Sequence, residues 1–540
     1  MKFNDVLAHA LRLHGVKVMF GVMGDANMYV VDSFHRKEGG RFVAAANEGG
    51  AVLMAAGYAA VSGSVGVATV THGAIANCVS ALFDAARGHY PLLVIAGDTA
   101  RHEAFHLQNI PQRDVVVPTG AAYCQVRSVD TAAADLAAAL GRAVAERRPV
   151  VLEVPADFQQ ADTTIAAGRI QQLVNGVLTP SAEDLEDAAA LIAGANRPLV
   201  IGGRGAGSPG TAGMLRQFAE RIGAPLGTTL RGKGLFAGDP FDIGIVGTLS
   251  HPVASDVIGR ADCLVVFGAG LNALTTLKGE LLAGKRSVQV DTDPAALGRY
   301  FPVDLGIVGD AARTAAGLSA LLDEAEVPPA GFRRDDLARR IAAWHEEDKA
   351  AADSDGPLTL TGVLHRVNEI VPRERTLAID GGRFSHEALR ILDVDHPWNY
   401  AHCLNIGHIG MSVGYGIGAS LGRPGVPALV VAGDGGFMLG GLAEFNTAVR
   451  NHLDVVVVLL NDGAYGAEYY RFVGQSLDPA LTMFDWPDFT EVATSLGGTA
   501  VRVAEWGDFK RFAEVVRPGC GPVLVEVLLD VAAIPDPGLH

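Results

Sequence analysis

Two polar clusters follow two apolar runs in the last third of the chain. "VVAGDGGF" (430–437) sets Asp434 between glycines, and "LLNDGAYGAE" (459–468) sets Asn461 and Asp462 at the end of the next run. An aspartate, a side-chain amide or second carboxylate, and a nearby backbone carbonyl form a hard oxygen set suited to Mg2+, which completes its octahedron with water and phosphate oxygens. Gly433, Gly435 and Gly436 let backbone N–H groups approach those phosphates where the helix "GGLAEFNTAVR" begins. Taken singly, GDG is a turn and Asn461 a helix cap. Separated by one helix and one strand, they read together as a site for a diphosphate held through Mg2+.

Such loops meet where parallel strands end, because in open parallel sheets ligands gather beyond the carboxyl ends. The chain carries the strands for this. "KVMFGV", "GVATVT", "PLLVIAG" and "RPVVLEVP" alternate with helical patterns over 1–170. "RPLVIGGRGAG", "CLVVFGAG" and "RSVQVDTDP" do so over 185–330, and "RTLAIDGG", "PALVVAGDGG", "DVVVVLLND" and "GPVLVEVLL" over 358–540. Strands apolar on both faces predict an α/β fold of three domains, each with a central parallel sheet flanked by helices. Polar "FQQADTTIAAGRIQQ" (158–172) is expected to be a linker. Charged 333–357 is expected to give a helix and a second linker. The stretches 66–98 and 426–462 share one rhythm of strand, glycine turn, helix and strand, so one topology is expected twice.

Bulk properties narrow the function classes. Over 540 residues the formal charge is −17, which argues against nucleic acid or an anionic membrane as partner and favours a small soluble substrate. Cys78, Cys124, Cys263, Cys403 and Cys520 form no CxxC pair, as expected of reduced thiols. The N-terminal "MKFNDVLAHALRLHG" lacks a long apolar core, and no long apolar run follows, so a cytoplasmic location is expected. "GRGAG" (203–207) lacks the GxGxxG spacing of a nicotinamide-binding turn.

GDG followed one helix and one strand later by a polar pair resembles the signature of thiamin diphosphate enzymes. The likeness extends over almost the whole chain, through "FGVMGDANMYVVDSF", "AANEGGAVLMAAGYAAVSG", "RGKGLF", "VQVDTDP" and "IGHIGMSVGYGIGA". The chain resembles the pyruvate decarboxylase and acetolactate synthase family, benzoylformate decarboxylase-like enzymes included. The family's order of pyrimidine-binding, central and diphosphate-binding domains matches the three above. The resemblance implies that Glu48 hydrogen-bonds N1′ of the aminopyrimidine, with a pKa raised by burial. It also implies that Gly407 offers a carbonyl to the 4′-amino group, that Ile409 bends the cofactor, and that Tyr465 adjoins it. Between Asp434 and Glu444 the chain is one residue longer than the family pattern. The metal ligands then fall on Asp434, Asp462 and the Ala464 carbonyl, or without the insertion on Asn461 and Gly463.

On the substrate side, Asp25 and Glu468 resemble the acid pair of pyruvate and indolepyruvate decarboxylases. His102 and His106 stand in place of that family's loop histidines. His72 and Gln112 lie where its loops face the thiazolium, and Gln112 matches a glutamine of acetolactate synthases. The expected reaction is decarboxylation, or another carbon–carbon cleavage, of a 2-keto acid or acyloin. The alternatives are an acetolactate synthase-like carboligase and, further off, a non-catalytic paralogue. FAD is disfavoured, because "GTLSHP" (247–252) replaces the synthases' flavin motif. A homodimer is the implied minimum active unit, within a homotetramer.

Overall fold

A computed structural model describes residues 1–103, 105–164, 177–352 and 356–534. These residues fall into two compact units. One takes those within 1–173, 370–385 and 401–536; the other takes those within 174–369 and 386–400.

The first unit contains two parallel sheets. One is built from β1 (Val18–Gly21), β2 (Arg41–Ala44), β3 (Gly66–Thr71), β4 (Leu92–Asp98), β5 (Ala122–Gln125) and β6 (Pro149–Pro155), in the order β2-β1-β3-β4-β6-β5. The second unit holds β7 (Pro198–Gly202), β8 (Leu226–Thr228), β9 (Asp242–Ile245), β10 (Cys263–Phe267), β11 (Arg286–Asp291) and β12 (Leu305–Val308), ordered β12-β11-β10-β7-β8-β9. The other sheet of the first unit consists of β13 (Thr376–Ile379), β14 (Ala428–Gly433), β15 (Val455–Asn461), β16 (Thr499–Val503) and β17 (Val523–Leu528), ordered β13-β14-β15-β17-β16. Every named pairing is parallel. The fold is three α/β domains.

Apart from the extra edge strand β2, the two sheets of the first unit share one strand order, so the topology occurs twice. The equivalent helices Glu48–Ser62 and Ser412–Gly422 pack against each other between the sheets, and each is apolar nearly all round. Glycine lets them approach. A Cβ on Gly418 would stand 1.9 Å from the Met54 carbonyl oxygen, and one on Gly57 2.1 Å from that of Tyr415.

One of the two linker expectations changes. A 3-10 turn, Ala156–Phe158, ends where the first expected linker begins, and within that linker Asp162 pairs with Lys2 through an ion pair at 3.0 Å and an isolated bridge, so this part is tied to the N-terminal segment; 165–172 lies outside the described residues. The charged segment is a helix over Asp335–Ala352, and 353–355 of the second linker lies outside the described residues. All five cysteines are free. Among the described residues no helix is long and apolar enough to cross a membrane.

Candidate active site

Strands β14 and β15 lie side by side with Gly433 opposite Leu460, so Asp434 and the Asn461–Asp462 pair emerge at one sheet edge. Helical structure begins at Asp434 itself, six residues before the expected start. It runs through a π-helical stretch, Phe437–Gly441, into Leu442–Arg450. A π-turn absorbs one extra residue within a helix, and this stretch lies between Asp434 and Glu444, where the sequence reads as one residue longer than the family pattern.

Asp434 is buried. Its Oδ1 accepts from the Gly435 amide at 2.9 Å and its Oδ2 from Trp486 Nε1 at 2.8 Å; the amides of Gly463 and Ala464 also point to it. Burial, then the charge of Asp434, pushes Asp462 up to about 7. Asn461 is engaged elsewhere: its Nδ2 donates to Glu526 Oε1 at 2.9 Å, its Oδ1 accepts from the Gly463 amide at 3.1 Å, and Glu526 also binds Arg502. Asp462 is therefore the side chain of the pair that shares the field of Asp434. Gly463 turns the chain at φ +65°, a conformation that favours glycine. The Gly463 carbonyl accepts from Phe484 N, and Ala464 bridges to Met483. The Tyr465 ring lies over Gly435, where a Cβ would come within 2.4 Å of it.

Glu48 opens its helix behind the N-cap Asn47, whose side chain accepts from Gly50 N at 2.7 Å. Within one chain Glu48 is half-buried and accepts from Asn77 Nδ2 at 2.9 Å, in place of the expected apolar enclosure. The fully buried Glu444 accepts the backbone amides of Ala46 and Asn47. Gly407, at φ +70°, and Ile409 occupy an irregular loop ahead of the helix Ser412–Gly422.

The substrate-side set is partly assembled. Asp25, His72 and His106 come together: His72 Nδ1 stands 3.5 Å from Asp25 Oδ1, and the two imidazoles stack at 4.9 Å. His72 is 2% exposed with Nδ1 lacking a hydrogen-bond partner, and burial lowers its pKa. Parallel rings direct their nitrogens along parallel planes rather than at one ion, so the trio suits proton handling better than metal binding. Gln112 is buried, donates from Nε2 to the Gly97 carbonyl and to Asp98 Oδ1, and keeps Oε1 unpaired. His102 is instead exposed beside Asp157, 3.9 Å away. Glu468 is exposed in the first turn of Gly466–Gly474 and makes no hydrogen bond to Asp25.

Several residues at these edges were not singled out from sequence. Arg383 follows β13, donates to the carbonyls of Val531 and Ile534, and lowers the pKa of Asp462 by its charge. Its signal is "IDGGR", another acidic glycine turn after an apolar run. Trp486 and Glu444 lie far from their partners in sequence and had no local signal. Asp98 ends β4 and Glu153 lies within β6, strands already recognised as apolar runs.

Three family models match the chain in order: the thiamine pyrophosphate enzyme N-terminal TPP binding domain over 1–116, the central domain over 185–318, and the C-terminal TPP binding domain over 380–527. The chain belongs to the thiamine pyrophosphate enzyme family. It is 26% identical to the acetolactate synthase isozyme 2 large subunit of Escherichia coli, over 97% of this chain and 95% of that protein. It is 27% identical to sulfoacetaldehyde acetyltransferase of Alcaligenes xylosoxydans, over 91% and 86%. Identity is 29% to the "Probable 2-ketoarginine decarboxylase" of Pseudomonas aeruginosa, over 96% and 92%.

Proposed function

We propose that this chain is a Mg2+-dependent thiamin diphosphate lyase that cleaves the bond next to the carbonyl of a 2-keto acid or acyloin in the cytoplasm. The observation that carries the proposal is the meeting of Asp434 and Asp462 at one sheet edge, two low-dielectric carboxylates whose mutual charge a hard dication relieves. The donor set fits the group: Asp434, Asp462 and the Ala464 carbonyl would hold the metal. The Gly435 and Gly436 amides at the helix start would hold the diphosphate. When bound, the cofactor would supply a nucleophilic carbon and an electron sink for cleavage of the bond next to the substrate carbonyl.

Glu48 would hold a proton at N1′ of the pyrimidine, from a second copy of the chain, whose walls would complete the enclosure absent within one chain. The dimer is thus the minimum active unit, within a tetramer. The Asp25–His72 pair, with Glu468, would return a proton to the product carbon. A synthase-like carboligation is the second reading, favoured by the buried Gln112 and by the acetolactate synthase relative. Flavin is left out, because His251 caps the helix Pro252–Arg260 and stacks on Trp344 at 4.0 Å.

Calorimetric titration with thiamin diphosphate, with Mg2+ or with a chelator, tests the binding half. A screen of 2-keto acids and acyloins for CO2 and aldehyde tests the rest. Metal-dependent binding with aldehyde release is expected; binding unaffected by chelator, or acyloin synthesis without aldehyde, would overturn the metal site or the lyase reading respectively.

A further inference from the structure

The loop that carries Gly407 and Ile409 is gripped at both ends by buried carboxylates. At its start stands Asp84, on the helix Val79–Arg87 that flanks the first sheet. Asp84 is 0% exposed. It accepts from Asn405 N at 2.9 Å, from Asn405 Nδ2 at 3.0 Å and from the Tyr415 hydroxyl at 2.6 Å, with the Ile406 amide also directed to it. Tyr90 adds a hydrogen bond from its hydroxyl to the His402 carbonyl at 2.9 Å. At the other end stands Asp380, just past β13 and 1% exposed. It accepts from Gly410 N at 2.9 Å and from Ser412 Oγ at 3.2 Å, besides Gly381 N. Gly410, at φ +86°, backs onto the helix that begins at Asp434: a Cβ on Gly440 would lie 2.3 Å from the Gly410 carbonyl oxygen.

A buried carboxylate is costly unless hydrogen bonds compensate it. Here the donors are amides, a phenol and an alcohol, drawn mostly from one short loop. An ionised carboxylate is the side chain with most acceptor capacity, so two of them can hold several loop amides in fixed directions where an apolar side chain would leave those amides unpaired. We propose that Asp84 and Asp380 are positioning residues that clamp 405–410, so that the Gly407 carbonyl and the Ile409 side chain stand ready before any cofactor arrives. This rests on the reading of Gly407 and Ile409 as cofactor contacts. Asp84 belongs to the same sheet domain as Glu48 yet acts on its own chain's loop, so packing of the two domains within a chain would set the cofactor geometry that a neighbour's Glu48 uses.

The test has two arms. In cofactor-free protein, amide hydrogen exchange of 404–410 is compared with that of β15 for wild type, Asp84→Asn, Asn405→Ala, Tyr415→Phe and Ser412→Ala. In protein loaded with thiamin diphosphate and Mg2+, C2-proton exchange is read by acid-quench NMR beside the Kd. The clamp predicts exchange faster by about tenfold or more in 404–410 alone. It also predicts C2-proton exchange slower by about ten- to a hundredfold, with Kd within about threefold of wild type, as expected where orientation rather than uniform binding is lost. If Asp84→Asn does not fold, Tyr415→Phe and Asn405→Ala carry the test. Unchanged amide exchange in 404–410 across the folded variants would overturn the clamp, and so would a loosened loop with C2-proton exchange at the wild-type rate. Failure of wild type itself to bind the cofactor would instead sink the functional reading, while the amide arm still judges the clamp.

Discussion

The carboxylate of Glu444 accepts the backbone amide of Asn47 at 3.2 Å and that of Ala46 at 3.2 Å, so the helical run that begins at Asp434 is tied to the residue before Glu48. Glu444 is 1% exposed, and removing it takes the acceptor from two backbone amides. Glu444→Ala is expected to cost about 2–4 kcal/mol and to lower the thermal midpoint. Gly50→Ala is expected to act in the same direction, because its Cβ would stand 1.9 Å from Glu444 Oε1 and push the carboxylate off those amides. Thermal melts of both variants check this; a wild-type midpoint for Gly50→Ala would mean that the carboxylate has room to move.

Asn461 and Asp462 separate by what they touch. Asp462→Ala removes a carboxylate from the field of Asp434, whereas Asn461→Ala breaks a link to Glu526. Asp434→Ala and Asp462→Ala are therefore expected to abolish Mg2+-dependent binding of thiamin diphosphate in calorimetry. Asn461→Ala should retain it with modest loss. The reverse order would return the metal role to Asn461.

Central strands such as β4 and β15 were legible because they are buried on both faces and read as unbroken apolar runs. The edge strands β2, β5, β9, β12 and β16 were not, since half-exposed strands of four or five residues carry no such run. β8 was hidden by its length of three residues. At the site, Asp434 and Asp462 could be found because glycine turns after apolar runs mark strand ends. The helix start at Asp434 was masked by glycines, which are poor helix formers, and the ties to Glu444, Asp84 and Trp486 join segments too distant for any local pattern to link.

Glu153 supplies a pH signature away from the proposed metal ligands. It is buried in β6, accepts from Gln125 Nε2 at 2.9 Å, and is pushed up to about 8 by burial and then by the charge of Asp98. In the unfolded chain it ionises near 4.5, the ordinary value. Between these values the folded chain keeps a proton that the unfolded chain has released, so stability falls as pH rises across the window. Glu153→Gln keeps the acceptor for Gln125 and removes the ionisation. The variant is expected to melt higher than wild type at pH 8 and to lose that advantage near pH 4.5; parallel melting curves at both pH values would refute the assignment.

Assembly has its own test. If Glu48 of one chain serves the cofactor anchored by Asp434 of another, mixed dimers of Glu48→Gln and Asp434→Ala chains contain one site with both residues intact. Mixing two inactive proteins under conditions of subunit exchange is expected to restore up to about a quarter of wild-type activity, the statistical share for random pairing into two-site dimers. Mass spectrometry verifies exchange. Verified mixed dimers without activity would place both residues in a single-chain site.

The proton roles divide by step. Glu48→Gln is expected to slow C2-proton exchange of bound thiamin diphosphate by about two to four orders of magnitude, the scale of a lost acid or base, while binding survives. Asp25 acts later in the proposed sequence. Its carboxylate faces the unpaired Nδ1 of His72 at 3.5 Å, and burial holds that imidazole toward its neutral form. A neutral imidazole beside an acid can pass on a proton without forming a buried cation. Asp25→Asn should therefore exchange the C2 proton at the wild-type rate yet release aldehyde about a hundredfold or more slowly, with the deficit growing as pH rises and solvent offers fewer protons. Adding an acceptor aldehyde should relieve the variant, because addition to a second carbonyl competes with protonation. A variant that releases aldehyde at the wild-type rate would remove Asp25 and His72 from proton delivery, and acyloin formation by wild type without added acceptor would shift the reading to a synthase.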